Sequence, residues 1–260
     1  MSKIKKYLGI AVAAVAVIAV WAFVVLDFNI FVDWQTAQEE KDIADSYDLK
    51  DVKSVSAVKS VDEISVGQRL KFGKYQQDGQ RINGKEKILW RVLAIEDNKV
   101  LLISEKLLCY MPYHDKWEPV TWETCTLRKW LNEDFYKDAF GFFERERIAL
   151  TTLDNSANAK YDTVSCSDTQ DKIFVLSIDE ALKYFEWDYD MSADATDYAM
   201  SQKEGFKFFA SSEWWLRSMY RSEYYYLAAT VSVFDGIEKC RLFTDSEDIA
   251  VRPAMWVEIN

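Results

Sequence analysis

From Tyr7 to Leu26 the chain runs through 20 residues without a charge, YLGIAVAAVAVIAVWAFVVL. A helix rises about 1.5 Å per residue, so this run reaches roughly 30 Å, the thickness of a bilayer's hydrocarbon core. It constrains the rest of the chain, because everything after a single span folds on one side of a membrane. A cleaved signal peptide has a shorter apolar stretch of about 7–15 residues, followed by small residues at the cut site. Here Ala11, Ala13, Ala14 and Ala16 lie inside the run, while bulky Trp21, Phe23 and Leu26 fill its far end. No cysteine follows the run directly, which excludes a lipoprotein signal. The expectation is an uncleaved transmembrane anchor over residues 7–26. Lys3, Lys5 and Lys6 precede it and Asp27, Asp33, Glu39 and Glu40 follow it. The lysines therefore keep residues 1–6 in the cytoplasm, and the C-terminal part is expected outside the cell membrane.

Those three lysines are the only charges before Asp27, so the chain's 32 basic and 43 acidic residues leave 29 and 43 beyond them, a net of −14. Nucleic-acid affinity comes largely from basic side chains that displace counterions, so nucleic acid is not an expected partner. Anionic headgroups would be repelled in the same way. The four cysteines, Cys109, Cys125, Cys166 and Cys240, have no C-x-x-C or Cys/His ligand spacing, and His114 is the single histidine. No metal and no cofactor is expected on that basis. Outside the cytoplasm an even cysteine count allows two disulfides in three pairings; the bland alternative is four small buried hydrophobes. Cys109 and Cys125 flank PYHDKWEPVTWET, a stretch with two prolines and little period. A bond between them, stabilising by roughly 3 kcal/mol, is the expected pairing.

Residues 27–62 are polar and charge-rich and read as a stalk, with a globular domain over 63–260. Gln68–Gln76, Lys87–Ile95 and Lys99–Ser104 read as strands, the last two joined by the turn Glu96-Asp97-Asn98 as a hairpin. Thr126–Phe140 has helical period, with Leu127, Trp130, Leu131 and Phe135 on one face. Phe142–Arg147 adds a helical turn after Gly141. Ile173–Leu176 reads as a buried strand, and Ser177 with Glu180 forms a capping box that starts the next helix. Glu213–Ser218, Leu227–Phe234 and Ile249–Glu258 read as short strands, with a turn at Asp235-Gly236. The predicted fold class is α+β: one mixed domain of short strands and a few helices, preceded by one transmembrane helix.

Chemistry is sparse. With eight glycines and neither a G-x-x-x-x-G-K-[ST] nor a G-x-G-x-x-G motif, no phosphate-cradling loop is expected. His114 has no accompanying nucleophile signature and reads as a surface-loop residue. The stretch Asp188–Asp194 fails as an EF-hand, since its sixth position is Ala193 and its twelfth Ala199. No catalytic residue is singled out. Aromatics are the unusual feature, and most serve a core. Trp117, Trp187 and Tyr225 are the candidates for an exposed surface that stacks on a sugar ring or binds a peptide. Arg217 and Arg252 lie between apolar residues in predicted strands, where an unpaired charge is costly, so each needs carbonyl or carboxylate partners. Trp214, Trp215, Arg217, Arg252, Pro253 and Trp256 are expected to form one structural unit. Strand alternation allows only one face of each strand to bury tryptophan without turning an arginine inward, and Pro253, lacking an N–H, belongs at an irregular position.

Several of these segments together resemble a bacterial family known as domain of unknown function 6273. They are FGKYQ (Phe72–Gln76), ILWRVL (Ile88–Leu93), LLISEKLL (Leu101–Leu108), Thr121–Phe140, Asp171–Phe185, WWLRS (Trp214–Ser218) and VRPAMWV (Val251–Val257). The resemblance covers about residues 64–260 and implies no established activity. The tail is also similar to the end of C-type-lectin-like domains, including relatives of sulfatase-modifying enzymes and bacterial variable binding proteins. That second similarity suggests a lectin-like fold, without the lectins' calcium motif or a copper-binding cysteine pair. The preferred function is a noncatalytic, membrane-anchored module that binds a protein, peptide or glycan outside the cytoplasm. The alternatives are a carboxylate-dependent hydrolase, marked by a cleft with two facing carboxylates about 5–9 Å apart, and a structural partner of another membrane protein.

Overall fold

A computed structural model of the chain describes residues 51–80, 82–202, 213–220, 227–232, 237 and 241–259. The expected anchor at 7–26, the stalk over 27–50, Tyr225, Cys240 and the Asp235-Gly236 turn lie outside the described residues. The chain divides into two compact units, Met1–Val52 and Lys53–Asn260. Among the described residues no helix is long and apolar enough to cross a membrane.

The second unit is an α+β domain rich in sheet, and it starts ten residues earlier than the polar composition suggests. Val55 and Val58 are buried, and Lys71 N–H donates to the Lys53 carbonyl at 2.9 Å. β1 (Arg69–Tyr75), β2 (Glu86–Glu96) and β3 (Lys99–Ser104) form an antiparallel meander, extended by the last strand, β12 (Ala254–Glu258), on β3. The hairpin between β2 and β3 closes with Glu96 opposite Lys99 and Asp97 at φ 52°, a left-handed conformation that Asp tolerates in turns. In β1, Gly73 (φ 66°) sits where the register shifts, and a Cβ there would meet the Phe140 ring at 2.6 Å. The absent side chain lets the end of the helical segment close onto β1.

That segment runs through α1 (Thr126–Trp130), a π-helical turn (Leu131–Phe135) and α2 (Tyr136–Ala139). Leu127, Leu131 and Phe135 are buried as the period predicts, and Trp130 packs half-buried beside them. From the π turn, Asn132 reaches the extended chain at 172–173: its Oδ1 accepts from Lys172 N–H (2.7 Å) and Ile173 N–H (3.2 Å), and its Nδ2 donates to the Ile173 carbonyl (2.9 Å). This is why Ile173–Leu176, read from sequence as a strand, is buried without joining a ladder. Its backbone is held instead by Asn132, by a single bridge from Phe174 to Ala254, and by Arg217, which donates to the Val175 and Leu176 carbonyls. α3 (Phe142–Arg147) and the short pair β5 (Thr151–Leu153) with β7 (Thr169–Asp171) lie between these elements in sequence.

The second large sheet is ordered β10 (Arg241–Phe243), β9 (Leu227–Val231), β8 (Trp214–Tyr220), β11 (Ala250–Val251) and β4 (Cys109–Tyr110), with β6 (Thr163–Val164) paired to the far end of β8. Ile249–Glu258 is therefore not one strand. It breaks at Arg252-Pro253 and passes from this sheet into the first one as β12, with Pro253 at the irregular junction. α4 (Ile178–Tyr184) begins with the expected capping box: Ser177 Oγ accepts from Glu180 N–H, and Glu180 Oε2 accepts from Ser177 N–H. α5 (Asp197–Ser201) completes the described helices, capped by Thr196.

Candidate functional site

Strand β8 is buried on both faces. Trp214 and Trp215 are each fully buried and Arg217 is 4% exposed, so the face that buries Trp215 also turns Arg217 inward, as strand alternation requires. Layers cover both sides of the strand, and the inward arginine is tolerated because its five N–H groups all have partners. Nε donates to Asn155 Oδ1 (3.1 Å). Nη1 donates to the Val175 carbonyl (3.2 Å) and to Glu180 Oε2. Nη2 donates to the Asp154 carbonyl (3.1 Å) and to Glu180 Oε1 (2.9 Å). Glu180 thus serves α4's cap and a bidentate ion pair at once.

Around this pair opens a cavity of ≈ 180 Å³, lined in part by Thr121, Asp154, Cys166, Asp179, Glu180 and Arg217. Its carboxylates are committed. Asp179 accepts from Asn158 Nδ2 at 2.7 Å, Glu180 holds Arg217, and hydrogen bonds from Ser156 keep Asp154 below the usual carboxylate range. A general acid needs its pKa raised, not lowered. A wider depression of ≈ 350 Å³ lies beside α1, where buried Asp171 is held by Arg128 Nε (2.6 Å), Trp122 Nε1 (3.0 Å) and Thr169 Oγ1 (2.8 Å). Among the described residues no group of three or more His, Cys, Asp or Glu is placed to hold a metal ion.

Arg252 is fully buried, and among the described residues it has no carboxylate partner. It donates from Nε to the Ser104 carbonyl (3.0 Å) and from Nη1 to the Met191 carbonyl (2.8 Å), and its guanidinium lies 5.2 Å from the Trp214 ring. Trp214 Nε1 donates to the same Met191 carbonyl (3.1 Å). Burial first, and then the charge of Arg91, pull this guanidinium below its ordinary value. Of the expected C-terminal unit, Trp214 and Arg252 meet directly and β11 lies beside β8 at Ala250–Trp214. Trp256 instead belongs to β12, paired with Leu101 in the other sheet.

The expected Cys109–Cys125 disulfide is not formed; both are buried free thiols. Cys109, in β4, hydrogen-bonds Tyr75, whereas Cys125 caps α1, its sulfur accepting from Arg128 N–H at 3.4 Å. Burial pushes each thiol up to about 12. The segment between them is instead held by His114, which is buried rather than a surface residue. His114 Nδ1 accepts from Thr126 N–H (3.3 Å), which assigns the ring proton to Nε2, 3.2 Å from Glu118 Oε1. Its backbone N–H donates to the Thr244 carbonyl at 2.8 Å.

This pinned loop presents Trp117. The ring is 51% exposed and packs 5.3 Å from Phe243 of β10, itself 44% exposed, with the exposed carboxylates of Asp115 and Glu118 in the same loop. Trp187, the second candidate, is 55% exposed. The sequence marks Trp117 but not Phe243, because nothing local connects a loop to a strand so distant along the chain.

Comparison with protein families decides one point. A model described as a domain of unknown function (DUF6273) matches residues 97–259. The chain belongs to this family. The DUF6273 match begins in the β2–β3 turn and so takes in β3, the helical segment, both described cavities and the Trp117–Phe243 contact. Comparison with curated proteins and with solved structures gave no match.

Proposed function

We propose that this DUF6273 protein is a noncatalytic, membrane-anchored binding module whose folded unit faces out of the cytoplasm and takes a glycan on the Trp117–Phe243 ledge. The observation that carries the reading is the contact itself: two large rings from distant parts of the chain, both about half exposed, Trp117 on a loop fixed by the buried His114 and Phe243 on β10. A ledge held in place before binding loses little entropy when a ligand arrives. Flat aromatic rings stack on the C–H face of a sugar, and Asp115 and Glu118 offer acceptors for hydroxyl groups beside them. The hydrolase alternative has less support, since the carboxylates of the Arg217 cavity are engaged in caps and an ion pair. Kinship with C-type-lectin-like domains belongs to the same proposal and is favoured by the pairing of β8 with β11 at the chain's end.

Full-length protein in detergent, screened on glycan and peptide arrays, tests the ledge. Trp117→Ala and Phe243→Ala are expected to abolish glycan capture and leave the melting temperature unchanged. Capture that survives both substitutions, or capture of peptides only, would overturn the glycan assignment. Protease added to intact protoplasts tests the placement: digestion of the folded unit is expected, and full protection would refute it.

A further inference from the structure

α3 opens with Phe142 and Phe143, 61% and 80% exposed, their rings edge-to-face at 5.4 Å, and Leu150 three residues past the helix is 59% exposed. Nothing in the ledge proposal uses them. The same helix holds the point where the second unit begins. Arg147, one turn after Phe143, donates from Nη1 to the Val55 carbonyl (3.2 Å) and from Nε to the Glu258 carbonyl (2.9 Å), and Val55 is fully buried. We infer that the Phe142–Phe143 pair is a second membrane contact, which inserts into the outer leaflet of the bilayer that holds residues 7–26. The inference rests on the anchored reading above.

The position and length of the tether favour lipid as the occupant. The 26 residues from Asp27 to Val52 can span at most about 90 Å, and they join the folded unit beside α3. A site tethered at such range meets its surface at an effective concentration near the millimolar scale. Two phenylalanines are too small a patch for a stable protein partner, which buries about 1,000 Å² or more. Tethered insertion needs only a marginal affinity, of the kind small apolar anchors provide. The charge sets the sign of the salt effect. With 27 basic and 35 acidic residues over 53–260, a net of −8, the domain is repelled by anionic lipid, so insertion is favoured on zwitterionic bilayers and recovers on anionic ones as salt screens the repulsion.

The test is full-length protein in phosphatidylcholine vesicles carrying a photoactivatable acyl-chain probe, with adducts mapped by peptide mass spectrometry. Adducts are expected in residues 7–26 and at Phe142 or Phe143. F142S/F143S should lower the second set about tenfold, leaving the first set and the melting temperature unchanged. Labelling of residues 7–26 without adducts at 142–143 overturns the inference and spares the anchor. Absence of both sets, with protein released by carbonate, sinks the anchor and the inference together. Concentration-dependent crosslinks between copies through 142–143 would assign the patch to self-association instead. Adducts at 142–143 that fall rather than rise with salt on phosphatidylglycerol vesicles would likewise overturn it.

Discussion

At the residue scale the domain is organised by buried polar side chains that each serve two elements. Arg217 is the clearest case: an arginine on an inner strand is stable only with its donors satisfied, and its partners come from the loop at Asp154-Asn155, the extended segment at Val175 and the cap of α4. Arg217→Ala strands the Glu180 carboxylate in a half-buried site and should cost about 3–5 kcal/mol in chemical denaturation. If the variant melts like the wild type but loses ligand capture, Arg217 belongs to a binding site. The thiols make a second prediction. Cys109 and Cys125 are buried and held protonated, whereas Cys166 is half-buried on the Arg217 cavity. Iodoacetamide should therefore alkylate Cys166 ahead of the other two in native protein, and nonreduced peptide maps should lack a Cys109–Cys125 bond.

At the element scale, regular periods carry the helices and the first sheet, and the exceptions have local causes. The π turn in the 126–139 segment holds Asn132 against the backbone of 172–173, a single-turn irregularity of the kind in which π-helix usually occurs inside α-helices. Gly73 is the counterpart in β1. Gly73→Ala would require a left-handed alanine and displacement of both the Phe140 ring and the Ala139 carbonyl, 2.8 Å from the added Cβ. It should destabilise by about 2–4 kcal/mol, with the strain and the overpacking adding. A loss below about 0.5 kcal/mol in urea unfolding would mean that α2 does not close onto β1 as described.

At the scale of the whole folded unit, the two large sheets are linked through Arg252-Pro253, and the first sheet carries its own charge cluster. Glu105 receives Arg91 Nε (2.9 Å) and Nη2 (2.8 Å) and Arg69 Nη2 (3.0 Å). Burial pushes its carboxyl up, but the hydrogen bonds and charges of Arg91 and Arg69 outweigh it, so Glu105 sits below its ordinary value. A depressed folded pKa means that its stabilisation is complete above the unfolded value of about 4.3 and is lost as pH falls through the folded value. Melting temperature should thus decline on acidification below about pH 4.3, and Glu105→Gln should be less stable at pH 7 and decline less steeply. Parallel curves for the two proteins would remove Glu105 from the acid response.

Features encoded by neighbouring residues acting together are legible before folding. Strands β1, β2 and β3, the β2–β3 hairpin with its Glu96-Asp97-Asn98 turn, the apolar face of the 126–139 segment and the Ser177–Glu180 cap follow from spacing, and each stands in the structure. Family membership was legible for the same reason, in a series of short motifs. Tertiary structure alone decided the rest, because each remaining question turns on residues remote in sequence. Ile249–Glu258 carries one continuous strand pattern, yet competing edges at β8 and β3 divide it. His114 looks like a loop residue until Thr126 and Thr244 close over it. Alternation along β8 cannot report that both of its faces are covered, nor that Arg217 will find five partners, since burial is a property of what packs against a strand. Trp117 stood out by composition, and its pairing with Phe243 exists only because the fold brings β10 to the 111–125 loop.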